Sequence, residues 1–278
     1  MGVLIEVDEL AALLDSAAPG TVLDVRWTLG GPSREPDFLA GHVPGARWVD
    51  LENDLSDHER PGGRHPLPEQ AHFESAMRRA GVRSDLPVIV YDADNGLAAA
   101  RLWWMLTDAG HGEVRVLNGG YAAWIQAGQP TEDGPGGTPL AGDFIAHPGQ
   151  LPRIDGDQLA ARVADGTAPL IIDVRGAERY AGESEPIDPV AGHVPGAVNV
   201  PSMVNVDGSG RFRAAAEIAA HFPEAGTEDV VYCGSGITAA HTALARASAG
   251  LPIPTIYPGS WSDWITDPDR PVATGDKP

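Results

Sequence analysis

A single thiol, Cys233, is all the cysteine this 278-residue chain has. That scarcity excludes an intrachain disulfide and any metal site built from several cysteines, so a reducing compartment, the cytoplasm, is the expected home. Basic residues are also short: 19 Lys and Arg stand against 39 Asp and Glu, a formal net charge of −20. Nucleic acid is excluded as a partner on that ground, because binding phosphates needs a basic surface. A small anionic substrate is not excluded, since it feels the local field of its pocket. No run approaches the ~20 apolar residues of a membrane span, so no membrane partner is expected. The start, Met1-Gly2-Val3-Leu4-Ile5-Glu6-Val7-Asp8, has neither the basic region nor the apolar stretch of a signal peptide. What remains is a globular composition, 42% hydrophobic and 21% charged, long enough for one large domain or two ordinary ones.

The chain reads as two copies of one unit. Leu23-Asp24-Val25-Arg26 recurs as Ile172-Asp173-Val174-Arg175, and Ala40-Gly41-His42-Val43-Pro44-Gly45-Ala46 recurs letter for letter at 191–197. Val90-Tyr91 matches Val231-Tyr232, and Asn118-Gly119-Gly120-Tyr121 through Trp124 matches Pro258-Gly259-Ser260-Trp261 through Trp264. The spacing between partners stays close, which is the mark of a tandem duplication. The expected domains are residues 1–127 and 153–278. Between them, 128–152 carries Pro130, Gly134, Pro135, Gly136, Gly137, Pro139 and Pro148, a run that cannot propagate a helix or a central strand and reads as a linker. Each half alternates β-rich runs (21–25, 88–91, 114–117; 170–174, 229–232, 255–257) with helical patterns (69–80, 97–109; 214–221, 238–249). Strand-helix alternation predicts α/β domains, each a parallel sheet with helices on both faces.

Cys233 closes the apolar run Val230-Val231-Tyr232 and opens the loop Gly234-Ser235-Gly236, after which Ile237-Thr238-Ala239-Ala240 begins a helical stretch. Ligands of such sheets bind beyond the carboxyl ends of the strands, where this residue falls. Backbone N–H groups converge at that turn and the helix dipole favours an anion there. The thiolate is the reactive form of cysteine, so the spacing points to a nucleophile; the blander reading is a buried structural cysteine. The repeat acts as an internal control. Tyr91 on Tyr232 puts Asp92 on Cys233, so the first half has the framework without the nucleophile. Features shared by both halves, among them Asp24–Arg26, Asp173–Arg175, His42 and His193, are therefore expected to serve the fold.

The doubled Asp-Val-Arg and Gly-His-Val-Pro-Gly-Ala pattern, with a cysteine loop only in the second copy, resembles the two-domain rhodanese superfamily over nearly the whole chain. The run Cys233–Ala239 is similar to the loop of 3-mercaptopyruvate sulfurtransferases. Thiosulfate-preferring relatives usually carry basic residues just after the cysteine, and here Gly234 and Ser235 stand there. The resemblance implies tandem rhodanese-like domains and a ping-pong transfer through a Cys233 persulfide. The partners would be a small anionic donor, 3-mercaptopyruvate or thiosulfate, and a thiol or cyanide acceptor, a thioredoxin-like protein among the candidates. No metal or organic cofactor is indicated.

Residue by residue, the resemblance makes Ser235 part of a proton relay with a first-domain acid, here Glu52, where the family usually has aspartate. His65, in Arg64-His65-Pro66-Leu67-Pro68, falls at a substrate-facing histidine, and Arg179 at the arginine that binds the donor's anionic end. A guanidinium suits a carboxylate or sulfonate; the blander role for Arg179 is a surface ion pair with Glu178 or Glu183. Gly234, Gly236, Ile237 and Thr238 would line the anion cradle with backbone N–H groups. Two departures leave the donor open: residues 183–188 hold no second arginine, and Ala98 replaces a tyrosine common after the first domain's Gly-Leu. A phosphatase reading needs Cys-X5-Arg, and the position counted from Cys233 is Ala239. The remaining alternative is a non-catalytic module that binds or senses through one redox-active thiol.

Overall fold

A computed structural model describes residues 2–137 and 141–278; Pro139 of the expected linker lies outside the described residues. The chain divides into two compact units. The first comprises Met1–Ser56, Pro68–Gln150 and Val206–Phe212, and the second Asp57–Leu67, Leu151–Asn205 and Arg213–Pro278.

In the first unit the order is β1 (Leu4–Ile5), α1 (Val7–Leu14), β2 (Thr21–Asp24), α2 (Glu35–Ala40), β3 (Arg47–Trp48) and α3 (Leu51–Asp54). Then come α4 (Gln70–Arg79), β4 (Val88–Tyr91), α5 (Leu97–Asp108), β5 (Val114–Leu117) and α6 (Gly120–Gln126). The five strands pair in parallel in the order β1-β5-β4-β2-β3. β4 is an unbroken Val-Ile-Val-Tyr run because a central parallel strand is buried on both faces. Side chains alternate across the pleat. Ile89 and Tyr91 join a core with Leu10 of α1, Phe38 of α2 and Trp124 of α6, while α5 packs along β4 and β5.

The second unit contains α7 (Gly156–Asp165), β6 (Ile171–Asp173), α8 (Ala177–Ala181), β7 (Ala197–Asn199) and a 3-10 turn, Ser202–Asn205. It continues with α9 (Ala215–His221), β8 (Val230–Tyr232), α10 (Ile237–Ser248), β9 (Thr255–Ile256) and α11 (Ser260–Trp264). Its parallel sheet, β7-β6-β8-β9, repeats the first without the β1 edge, and a single parallel bridge, Arg153 to Ile256, stands in that place. The register is shared: Asp24 lies beside Tyr91, and Asp173 beside Tyr232. α10 is rich in alanine; Ala239, Ala240, Ala243 and Ala245 are fully buried, and the helix packs against β8, α9 and the 3-10 turn.

The duplicated motifs do matching work in the two units. The Tyr91 hydroxyl accepts the Val43 N–H at 3.2 Å, and Tyr232 accepts that of Val194 at 3.0 Å, so each strand-end tyrosine holds a His-Val-Pro-Gly turn. Arg26 pairs with Asp24 and donates to the Gly41 carbonyl, as Arg175 does with Asp173 and Gly192. His42 and His193 are buried, each with Nδ1 on a nearby carbonyl, of Phe38 and Tyr180.

Of the segment expected as a linker, the described residues up to Gln150 belong to the first unit and bond to its backbone. Glu132 exchanges both backbone bonds with His42, and the N–H groups of Gly142, Phe144 and His147 donate to the carbonyls of Arg78, Val82 and Ala109. Phe144 and Ala146 are buried. Glycine and proline prevent a helix here, and an extended strap is the result.

Candidate active site

The strand β8 delivers Cys233 to the carboxyl edge of its sheet, where Gly234-Ser235-Gly236 turns the chain into α10. Gly236 caps that helix at φ 83°, a conformation that L side chains rarely adopt. In this conformation the Gly236 N–H points back at the Cys233 sulfur, at 3.1 Å. Cys233 is buried, with that amide aimed at its sulfur and the start of a twelve-residue helix beside it.

Two residues further along the loop, the Ser235 hydroxyl is hydrogen bonded to His65 Nδ1 at 2.7 Å, and both residues are buried. His65 comes from segment 57–67, which belongs to the second unit. Its neighbour pins that segment: the Arg64 N–H donates to Ser262 Oγ at 2.9 Å. Gly63, at φ 86°, lies so close to this contact that a Cβ would sit 2.5 Å from Ser262 Oγ and 2.7 Å from the Gly259 carbonyl. Glycine is required at that point.

Arg179 leaves α8 and makes ion pairs with Glu185 and Asp188; neither is one of the flanking carboxylates considered from sequence. Its Nε bonds both Glu185 oxygens at 3.0 Å. Burial acts to raise the Glu185 carboxyl, but Arg179 and the N–H groups of Asp188 and Ile187 outweigh it and hold the group below its ordinary value. A Cβ on Gly234 would meet Arg179 Nη1 at 3.5 Å, so the guanidinium lies over the residue next to the thiol. Ile237 and Thr238 form the first turn of α10. Glu52 lies in the first unit, where its carboxylate accepts the Trp27 indole N–H at 2.6 Å.

Two residues of the site escaped sequence reasoning. One is Arg64. The other is Ser260, whose φ of 55° is the one positive value on a non-glycine residue among the described residues. Its hydroxyl oxygen accepts the Cys233 N–H at 3.1 Å, lies 3.8 Å from the sulfur and donates to the Tyr257 carbonyl. The repeat held the signal: the matching residue in the first half is Gly120, at φ 58°. A serine replaces glycine at a left-handed position only where its side chain is used, because the conformation costs on the order of 1–2 kcal/mol.

A sequence model of the Rhodanese-like domain matches residues 6–127 and again 155–267. The chain belongs to the rhodanese family. Two relatives at 42% identity disagree about the donor. One is "Putative thiosulfate sulfurtransferase SseB" of Mycobacterium tuberculosis, aligned over 98% of this chain and 97% of its own length. The other is "Probable 3-mercaptopyruvate sulfurtransferase" of Pseudomonas aeruginosa, over 98% of each. The crystal structure of the 3-mercaptopyruvate enzyme SseA from Escherichia coli superposes with a TM-score of 0.82 at 33% identity, covering 94% of this chain and all of that one. The rhodanese-family chain described here is thus a sulfurtransferase enzyme, its donor left open by overall similarity. No helix among the described residues is long and apolar enough to cross a membrane.

Proposed function

We propose that this sulfurtransferase takes the thiol sulfur of 3-mercaptopyruvate, holds it as the sulfane sulfur of a Cys233 persulfide and passes it to a thiol or cyanide. The observation that carries the choice of donor is the buried Ser235–His65 pair, its serine two residues after the thiol. Thiosulfate would release sulfite, a stable anion that needs no proton. Mercaptopyruvate releases the enolate of pyruvate, which must be protonated, and a hydroxyl bonded to an imidazole is a proton route. The loop beside Cys233 carries no cation of its own, in keeping with the same donor.

In the first half-reaction the thiolate attacks the donor's sulfur. The S–S bond forms as the C–S bond breaks, the electron pair leaves on carbon, and the proton of the donor thiol ends on that carbon by way of Ser235 and His65. Pyruvate departs and a persulfide anion stays, stabilised by N–H groups of the cradle. In the second half-reaction the acceptor attacks the outer sulfur and the Cys233 thiolate is released. Covalent storage splits one difficult displacement into two easier ones. Glu52 enters the relay on the family resemblance alone, and Arg179 holds the donor's anionic end. A reducing cytoplasm, rich in thiol acceptors, is the setting that fits.

The test is intact mass after incubation with each donor, followed by kcat/KM for both on one preparation. The proposal expects one added sulfur from mercaptopyruvate, no addition in Cys233→Ser, and a higher kcat/KM for mercaptopyruvate than for thiosulfate. A preference for thiosulfate, the reading in the mycobacterial relative's name, would overturn the donor. No added sulfur from either donor would leave a binding module in place of an enzyme.

A further inference from the structure

The second arginine absent from residues 183–188 has a counterpart elsewhere in the second unit. Arg64 Nη1 pairs with Asp188 Oδ1 at 2.5 Å, and the other oxygen of Asp188 takes Arg179 Nη2 at 2.9 Å. One buried carboxylate thus aligns two guanidiniums side by side. Glu185, held ionised, fixes Arg179 from its far edge. Each arginine is left with one terminal nitrogen that has no hydrogen-bond partner among the described residues, Arg64 Nη2 and Arg179 Nη1. Both point to one place: a Cβ on Gly234 would lie 3.1 Å from the first and 3.5 Å from the second. Gly234 is the residue after the nucleophile, and it leaves that place empty of side chain. The Arg64 Nε is also buried without a partner.

Two guanidiniums oriented by carboxylates behind them, with free N–H groups converging in front, make a fork for a planar anion. We propose that Arg64 is a donor-binding residue which, with Arg179, grips the carboxylate of a 2-oxo acid donor over Gly234. This rests on the reading of mercaptopyruvate as donor and extends it. Specificity then comes from segment 57–67 and α8 together. The blander role for Arg64 is that of a pin, fixing its segment through Asp188.

The experiment measures steady-state KM and kcat for mercaptopyruvate, together with inhibition by pyruvate, in the wild type, Arg64→Ala and Gly234→Ala. Losing one charged bond to a carboxylate should raise KM and the pyruvate inhibition constant by about 10- to 100-fold, with kcat changed much less. Gly234→Ala keeps both charges and the Asp188 pairs, and its backbone accepts alanine. Its methyl intrudes between the two nitrogens and should raise KM several-fold, an effect that loss of a mere pin cannot explain. If the wild type gains sulfur from mercaptopyruvate while both variants keep KM within about twofold of it, the Arg64 assignment fails alone. If the wild type gains none, the donor reading fails and takes this assignment with it.

Discussion

The two repeats carry the same strand, the same terminal tyrosine and the same turn into a twelve-residue helix, and then fill that turn differently. After Tyr91, the Asp92 carboxylate accepts the N–H groups of Asp94, Gly96, Ala98 and Ala99, at 3.2, 3.0, 2.9 and 3.2 Å. After Tyr232, the Cys233 sulfur takes the Gly236 N–H. The cradle is therefore a property of the strand-loop-helix turn, and chemistry depends on its occupant. A carboxylate from the chain itself plugs the first cradle for good, whereas the second holds a thiol, the proposed nucleophile. The surroundings diverge in step. Gly63-Arg64-His65 of segment 57–67 is echoed by Gly210-Arg211-Phe212, where Arg211 pairs with Glu6 and the Phe212 N–H donates to Asn118. An imidazole in one copy is a phenyl ring in the other.

That last difference gives the largest expected effect. His65→Phe imports the silent copy's residue and leaves the Ser235 hydroxyl without its partner. Removing a positioned proton-transfer group typically costs about 10²-fold or more, so kcat with mercaptopyruvate should fall by about that factor. Thiosulfate turnover should fall far less, because sulfite leaves without a proton. Equal losses with both donors would mean that His65 only props the segment, and that the imidazole and phenyl rings of the two repeats are equivalent after all.

The plug can be tested through stability. Asp92→Asn keeps the shape but turns an NH2 group toward N–H donors, which should cost about 1–3 kcal/mol, read by denaturant or thermal unfolding, with sulfur transfer intact. Burial raises the Asp92 carboxyl above its ordinary value, against the pull of the Gly96, Ala99 and Ala98 N–H groups. A carboxyl raised on folding gains protons as the chain folds. Its contribution to stability is full below the unfolded value, about pH 4, and is lost as pH rises through the folded one. The deficit of the Asn variant should therefore be greatest near pH 4 and shrink toward neutrality. A deficit that grows with pH would mean that the cradle's N–H groups outweigh burial.

Much of this was legible in residue order alone. Val88–Tyr91 and Val114–Leu117 are strands with the bounds expected, and the four helices expected at 69–80, 97–109, 214–221 and 238–249 lie within a residue or so at each end, because apolar β-type runs and helical periodicity are strong local signals. Other elements were not: β1 and β3 have two residues each, α2, α3 and α8 are too brief to show a period, and α1 and α7, of eight and ten residues, were not among the helices expected. The thiol turn is legible in the strand-loop-helix order itself, and Ser235, His65 and Arg179 come from motif resemblance. Arg64 could not be, since its role depends on Asp188, 124 positions away in the chain. Ser260 was hidden differently. Glycine announces a left-handed position, and this copy has lost the glycine while keeping the conformation.

The smallest effect separates the two uses of that conformation. Ser260→Ala keeps the strain and leaves the Cys233 N–H and the Tyr257 carbonyl without the hydroxyl. Ser260→Gly loses the same bonds but restores what Gly120 has, a residue at ease near φ 55°. The glycine variant should be more stable than the alanine variant by about 1 kcal/mol, although it is the more flexible chain when unfolded. Both should lose sulfur transfer alike, several-fold, because the contact with Cys233 is gone from each. If Ser260→Gly were instead as active as the wild type, the serine would be an accident of drift. The silent and active copies would then differ at Asp92 and Cys233 but not in how the backbone beneath them is held.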